Sequence, residues 1–137
     1  MHRSTLFALA LALLPACSNE PSPLAQPPAA GSVNAATLPD HDPALAHKLV
    51  AEGAVLLDVR SAEEFADKHL PGAVNIPVDA LDGRLEEMKK LTGGDSQKPI
   101  VVYCASGNRA GRAKKVLGSA GFGQVTNLGS IADWDRK

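Results

Sequence analysis

Four short strand-forming runs, each separated from the next by a stretch with helical periodicity, constrain this chain more than any other feature. They are AVLLDV (54–59), AVNIPV (73–78, broken by Pro77), IVVY (100–103) and QVTNL (124–128). Short continuous apolar runs read as strands buried on both faces, and such strands alternating with amphipathic helices build a parallel sheet covered on both sides. The intervening segments carry helix signals. Asp42 then Pro43 is an N-cap followed by proline at the first helical position, with Leu45, Leu49 and Val50 as the apolar stripe and Gly53 as the stop. Ser61 and Glu64 form a capping box. Leu81, Leu85, Met88 and Leu91 recur at helical spacing, with Glu86 and Lys90 as an outer i,i+4 pair. Ala110, Ala113, Val116, Leu117 and Ala120 mark a last helix face, closed by Gly121. The expectation is an α/β domain with a central parallel sheet of four to five strands and helices on both faces.

The first 39 residues follow none of this. Arg3 precedes a ten-residue apolar run, Thr5 to Leu14, half of the roughly 20 residues that cross a bilayer. A short basic start, an apolar core and a small residue at its end describe a secretory signal. Leu14, Pro15, Ala16 and Cys17 resemble a bacterial lipobox. That resemblance implies cleavage before Cys17 and acylation of its thiol and new amine, and two or three acyl chains anchor stably where one is marginal. Ser18 after the cysteine favours the outer membrane by analogy with enterobacterial sorting. Residues 18–39 contain five prolines and no apolar periodicity. They read as a tether reaching roughly 25 Å as a coil and about 65 Å when extended. The expected organisation is a signal peptide over 1–16, a lipidated cysteine and tether over 17–39, and one domain over 40–137, in a lipid-anchored protein of the bacterial envelope that faces the periplasm.

One turn carries the chemistry. IVVY runs into Cys104, Ala105, Ser106, Gly107, Asn108 and Arg109, and then directly into a helix. Gly107 gives the turn its conformational freedom, and Ser106 and Asn108 tolerate turn geometry. Successive N–H groups in such a turn form an anion nest, and the following helix adds its positive end. Surroundings of that kind stabilise a thiolate. Ligands of parallel sheets bind at the carboxyl ends of strands, where Cys104 stands. Between Ser96 and Ala132 there are five cations (Lys98, Arg109, Arg112, Lys114, Lys115) and no anion, while twelve of the fifteen acids lie between residues 40 and 95. The stretch around Cys104 is therefore locally basic and expected to draw small anions. With Cys17 acylated, Cys104 is the lone thiol of the mature protein, a liability in an oxidising compartment unless it is used.

Other chemistries find little support. Net charge is -1, so no nucleic-acid partner is expected. His2, His41, His47 and His69 are scattered without CxxC or HxxxH spacing, so neither a metal nor a cofactor is expected. GSAGFG (118–123) follows a helix instead of opening one and reads as a helix stop.

LLDVRSAEEFADKHLPGAVNIPV, then IVVYCASGNRAGRA, then AGFGQVTNLGSIADW together resemble a single-domain rhodanese, a thiosulfate sulfurtransferase. The resemblance runs in order from about residue 49 to Trp134. It implies a rhodanese-like α/β fold, Cys104 as the residue that carries a persulfide, and residues 105–109 as the donor-binding cradle. The implied partners are a small anionic sulfur donor and a cyanide or thiol acceptor, and the chain is expected to act as a monomer. Ala105 stands where the family often has a charged residue, and Gly129-Ser130 where it usually has Gly-Gly. Asp58 and Arg60 are read as second-layer residues, with Asp58 facing the loop or Arg60 pairing with Glu63 or Glu64. His69 is read as a hydrogen bonder of the Pro71-Gly72 turn, Trp134 as packing, and Arg109 as a stabiliser of the anionic donor. Two other functions fit the same cysteine: a persulfide carrier for a protein partner, and a phosphatase or arsenate reductase. Phosphatases of this fold place five residues between cysteine and arginine. Here four separate Cys104 from Arg109, and Ala110 stands where the phosphatase arginine would fall.

Overall fold

The computed structural model describes residues 38–136. The expected signal peptide, Cys17 and most of the expected tether lie outside the described residues. Four strands, β1 (Val55–Asp58), β2 (Val74–Asn75), β3 (Ile100–Cys104) and β4 (Val125–Ser130), form one sheet in the order β2-β1-β3-β4, all parallel. Four α-helices accompany them: α1 (Pro43–Ala51), α2 (Ala62–Asp67), α3 (Leu85–Leu91) and α4 (Asn108–Ser119). Short 3-10 helices fill Val78–Ala80, Asp82–Arg84 and Ile131–Asp135.

The helix signals act as expected at three ends. Asp42 Oδ1 accepts from the Leu45 N–H at 2.9 Å, with Pro43 at the first helical position of α1. Ser61 and Glu64 close a reciprocal capping box on α2. Gly121, at φ +95°, ends α4. Two expectations are corrected. The run 73–78 pairs over two residues only, because Pro77 has no N–H to donate and the chain then winds into a 3-10 turn. The outer pair on α3 joins Glu86 to Lys89 at 2.6 Å, one residue short of the expected Lys90.

The strands sort their side chains by pleat. Ile100, Val102 and Cys104 face one core with Val55, Leu57, Met88, Ala110, Ala113 and Leu117. Val101 and Tyr103 face the other with Ala46, Leu49, Leu56, Leu70 and Leu128. Helices α3 and α4 therefore cover one face and α1 the other, and Cys104 points to the α4 side. Complete burial of side chains such as Leu57, Ile76, Leu81, Ile100 and Leu117 stabilises the fold by roughly 1.5–3 kcal/mol each.

Two features position the site. Chain order reverses between β1 and β3, and a parallel sheet opens its ligand crevice at that reversal, outside the strand carboxyl ends. There β1 ends at Asp58 and β3 at Cys104. The β3–β4 register then slips by one residue: Val102 pairs with Asn127 and Tyr103 with Gly129, leaving Leu128 as a bulge. The bulge sends Leu128 into the α1 core and turns Asn127 and Gly129 toward the cysteine loop.

Leu38 and Pro39, expected in the tether, belong to the domain. Lys114 Nζ donates to Leu38 O at 3.1 Å and Thr126 Oγ1 to Pro39 O at 2.6 Å. His41 continues this strap with its N–H on Asn127 O at 2.8 Å.

Candidate active site

Cys104 is the last residue of β3 and is wholly buried. The next two residues, Ala105 and Ser106, are exposed, and the chain folds back at Gly107. Gly107 sits at φ +90°, ψ -22°, a conformation that side chains rarely adopt, and it caps the N-terminus of α4 without a side chain of its own. Its N–H donates to Cys104 Sγ at 3.0 Å. Within residues 105–109, expected as a donor-binding cradle, Gly107 aims its N–H at the sulfur. The first turn of α4 supplies further N–H groups that the helix itself leaves unpaired.

Space around the turn is tight. A Cβ on Gly107 would lie 3.3 Å from both Gly129 Cα and His41 Cε1. A Cβ on Gly129, at φ +104°, would lie 2.6 Å from Asp133 Oδ2 and 2.9 Å from His41 Nδ1. The first glycine of Gly129-Ser130 is required. Ser130 is accommodated, and its hydroxyl accepts from the Ala132 N–H at 3.2 Å.

Asn127 was not among the residues singled out from sequence. Its Nδ2 donates to Gly107 O at 3.1 Å, and its Oδ1 accepts from the Gly129 N–H at 2.9 Å. Its backbone carbonyl holds the His41 N–H. One buried amide joins the cysteine loop, the β4 bulge and the strap before α1. His41 was considered only as a metal ligand. Its exposed ring lies over Gly107 and Gly129, and its φ of +58° is unusual for a residue with a side chain. No spacing rule exposes either residue, because the contacts form only when the bulge brings β4 against the loop.

The expected partner of Arg60 is corrected. Arg60 pairs with Asp58, not with Glu63 or Glu64: Nη2 lies 2.6 Å from Oδ2, and Nε and the Arg60 N–H reach Oδ1 at 3.0 and 2.9 Å. The Asp58 hydrogen bond is the main influence holding the Arg60 pKa above its usual value. Both Asp58 oxygens are thus taken by Arg60. Arg60 also donates to Lys68 O and lies 5.6 Å over the Tyr103 ring. Burial pushes the Tyr103 hydroxyl up and keeps it neutral, and it accepts from the Leu70 N–H at 3.1 Å. Asp58 and Arg60 form a buried brace under the crevice. His69 Nδ1 bonds Phe65 O at 2.9 Å and the ring stacks on Phe65, so it closes the end of α2. Trp134 packs on His47 at 3.8 Å between ring centroids.

The Glu64 hydrogen bond is the main influence raising the Arg109 pKa and Cys104 adds to it, so the guanidinium stands close to both. Nη1 and Nη2 are clamped by Glu64 Oε2 and Oε1 at 2.6 and 2.8 Å. This hydrogen bonding is the main influence lowering the Glu64 carboxyl to about 2, helped by the Ser61 N–H. Two further cations of the basic stretch are also paired: Arg112 with Asp79 at 3.0 Å and Lys114 with Asp40 at 2.6 Å. Acids from the stretch between residues 40 and 95 fold back onto the basic stretch that follows it. The expected anion-attracting field is therefore reduced at these three positions, while the Arg109 guanidinium still stands beside Cys104.

A thiol at a strand end, met by the Gly107 N–H and flanked by Arg109, suits one anionic sulfur carried on a cysteine. Residues 42–137 match the rhodanese-like domain family. The chain belongs to that family. A *Saccharomyces cerevisiae* thiosulfate:glutathione sulfurtransferase is 39% identical over 88 residues, covering 58% of this chain and 63% of the yeast protein. The thiosulfate sulfurtransferase PspE of *Escherichia coli* is 32% identical over 77 residues, covering 56% of this chain and 70% of that one. Among solved structures, a human single-domain sulfurtransferase superposes with a TM-score of 0.57 at 32% identity, covering 69% of this chain and 92% of the human one. The chain thus spans less than two thirds of the yeast relative's length. The rhodanese fold expected from the sequence is the fold observed, with four parallel strands and helices on both faces.

Proposed function

We propose that this rhodanese-family chain is a sulfurtransferase acting through a Cys104 persulfide. The Cys104 thiolate attacks the outer sulfur of a small donor such as thiosulfate. The sulfur–sulfur bond of the donor breaks, its electron pair leaves with sulfite, and Cys–S–S⁻ remains. Cyanide or a thiolate then attacks the outer persulfide sulfur and restores the cysteine thiolate. This is covalent catalysis with ping-pong kinetics. The Gly107 N–H and the start of α4 stabilise charge on the persulfide without reorganising. The observation that carries the reading is the Gly107 N–H aimed at the buried Sγ at 3.0 Å. The relatives' names support the same chemistry.

A persulfide carrier serving a protein partner is the second reading. It is favoured by Ala105, which adds no charge beside the sulfur, and by the pairing of Arg109 with Glu64. Steady-state thiocyanate formation from thiosulfate and cyanide separates the two: sustained turnover supports the enzyme, while a single turnover per cysteine supports the carrier. A phosphate ester assayed in parallel should give no hydrolysis, because the six-residue loop offers Ala110, a buried apolar residue, where a phosphatase places its arginine. Acylation of Cys17 would hold this domain at the bacterial envelope on its proline-rich tether, and the lipobox-like LPAC supports that placement.

A further inference from the structure

We infer that Glu64 is a charge selector for the sulfur donor: by occupying Arg109 it sets the site to favour singly charged donors over the thiosulfate dianion. The inference rests on the sulfurtransferase reading and narrows its substrate class.

Four observations support it. Both Glu64 oxygens are committed, Oε1 to Arg109 and Oε2 to Arg109 and the Ser61 N–H, so the carboxylate is fixed at the loop and not swinging in solvent. Arg109 is the only cation of the cysteine loop, since Ala105, Ser106, Gly107 and Asn108 are neutral. Glu64 is ionised throughout the physiological range, because Arg109 and the Ser61 N–H hold its carboxyl near 2. The other groups flanking the loop are paired as well, with Arg112 on Asp79 and Asp58 on Arg60. A dianion drawn to the remaining Arg109 N–H groups must also bind beside a fixed carboxylate, whose repulsion of it is twice that of a monoanion. A monoanion needs only the N–H groups. The same carboxylate also weakens the hold on departing sulfite, which is itself a dianion.

Thiosulfate and methanethiosulfonate make a matched pair of probes. Each gives up its outer sulfur to a thiolate, one releasing sulfite and the other methanesulfinate, and they differ by one negative charge. Glu64→Gln keeps an oxygen for the Ser61 N–H and removes the charge. It should lower the thiosulfate KM about fivefold and the methanethiosulfonate KM only about twofold, as expected for a partly exposed like-charge contact whose energy scales with the charge of the donor. Glu63→Gln removes the same charge from an exposed neighbour in the same helical turn and should leave both KM values where they were. Unequal effects of the two variants separate local selection from a change in net charge. Calorimetric thiosulfate binding to Cys104→Ser, with and without Glu64→Gln, reads selection with no sulfur moving. Tightening of about fivefold there is expected. An unchanged or weakened affinity in both measurements overturns the selector while leaving persulfide chemistry intact. Wild-type protein that takes sulfur from neither donor overturns the sulfurtransferase reading itself, whatever the binding data show.

Discussion

Asn127→Ala tests whether the cysteine cradle is held from β4. Asn127 is 5% exposed, and its side chain makes two hydrogen bonds that water cannot easily replace. Truncation leaves the Gly129 N–H without its acceptor inside the domain. An orphaned buried donor costs about 1–3 kcal/mol. Gly107 O loses Asn127 Nδ2 but keeps the Gly111 N–H at 2.8 Å, so that loss is smaller. The combined effect should be about 2–3 kcal/mol. For a domain of this size that lowers the thermal midpoint by about 10–20 °C and the urea midpoint by about 2 M. Far-UV circular dichroism against temperature and urea measures both. Under conditions where the variant is folded, its sulfur-transfer kcat should also fall, because Gly107, whose N–H meets Cys104 Sγ, is no longer tied to the sheet. A midpoint shift below about 3 °C would mean that Asn127 contributes no more than a surface residue, and the account of how the cradle is held would be wrong.

Gly129→Ala should destabilise by more than about 2 kcal/mol, since the new Cβ meets Asp133 Oδ2 and His41 Nδ1 at a backbone angle that side chains avoid; urea unfolding measures it, and a neutral result would refute the contact geometry. The folded-state pKa of Glu64, about 2, lies below its ordinary 4.5, so its pairing stabilises fully above pH 4.5 and is lost as pH falls toward 2. Wild type should therefore exceed Glu64→Gln in stability by about 0.3–1 kcal/mol at pH 7, with the difference closing between pH 4.5 and 2 in urea titrations; a gap that widens on acidification contradicts the sign. Cys17→Ser, expressed in a bacterial host that processes lipoproteins, should move the protein from the membrane fraction to the soluble one. Wild type that is already soluble, or that lacks acyl mass, refutes the anchor.

Fold class was legible because both kinds of periodicity were clean: continuous apolar strands and three-to-four spaced helix stripes leave one class of solution. The strand-to-helix turn after Cys104 was legible because glycine, neutral turn residues and a helix start follow it at once. The errors arose where tertiary contacts decide. Arg60 has acids at positions 63 and 64 within helical reach, yet the β1 end turns Asp58 back onto it, and burial makes that pair the one that persists. Glu64 was read as a cap and is one, but its second bond, to Arg109, spans 45 residues and has no local signature. The basic stretch from 98 to 115 looked like an attractive field, because sequence order hides the acids that fold against it. Asn127 acquires its role from a one-residue bulge, which a strand pattern of apolar residues does not announce.

The central claim is that Cys104 carries the sulfur. Intact mass spectrometry of the purified protein after thiosulfate treatment reads this directly. Wild type should gain one sulfur atom, which cyanide then removes as thiocyanate, and Cys104→Ser should gain none while keeping the wild-type circular dichroism spectrum. A sulfur adduct that persists in Cys104→Ser, or a wild type that stays unmodified with both thiosulfate and methanethiosulfonate, would contradict the account.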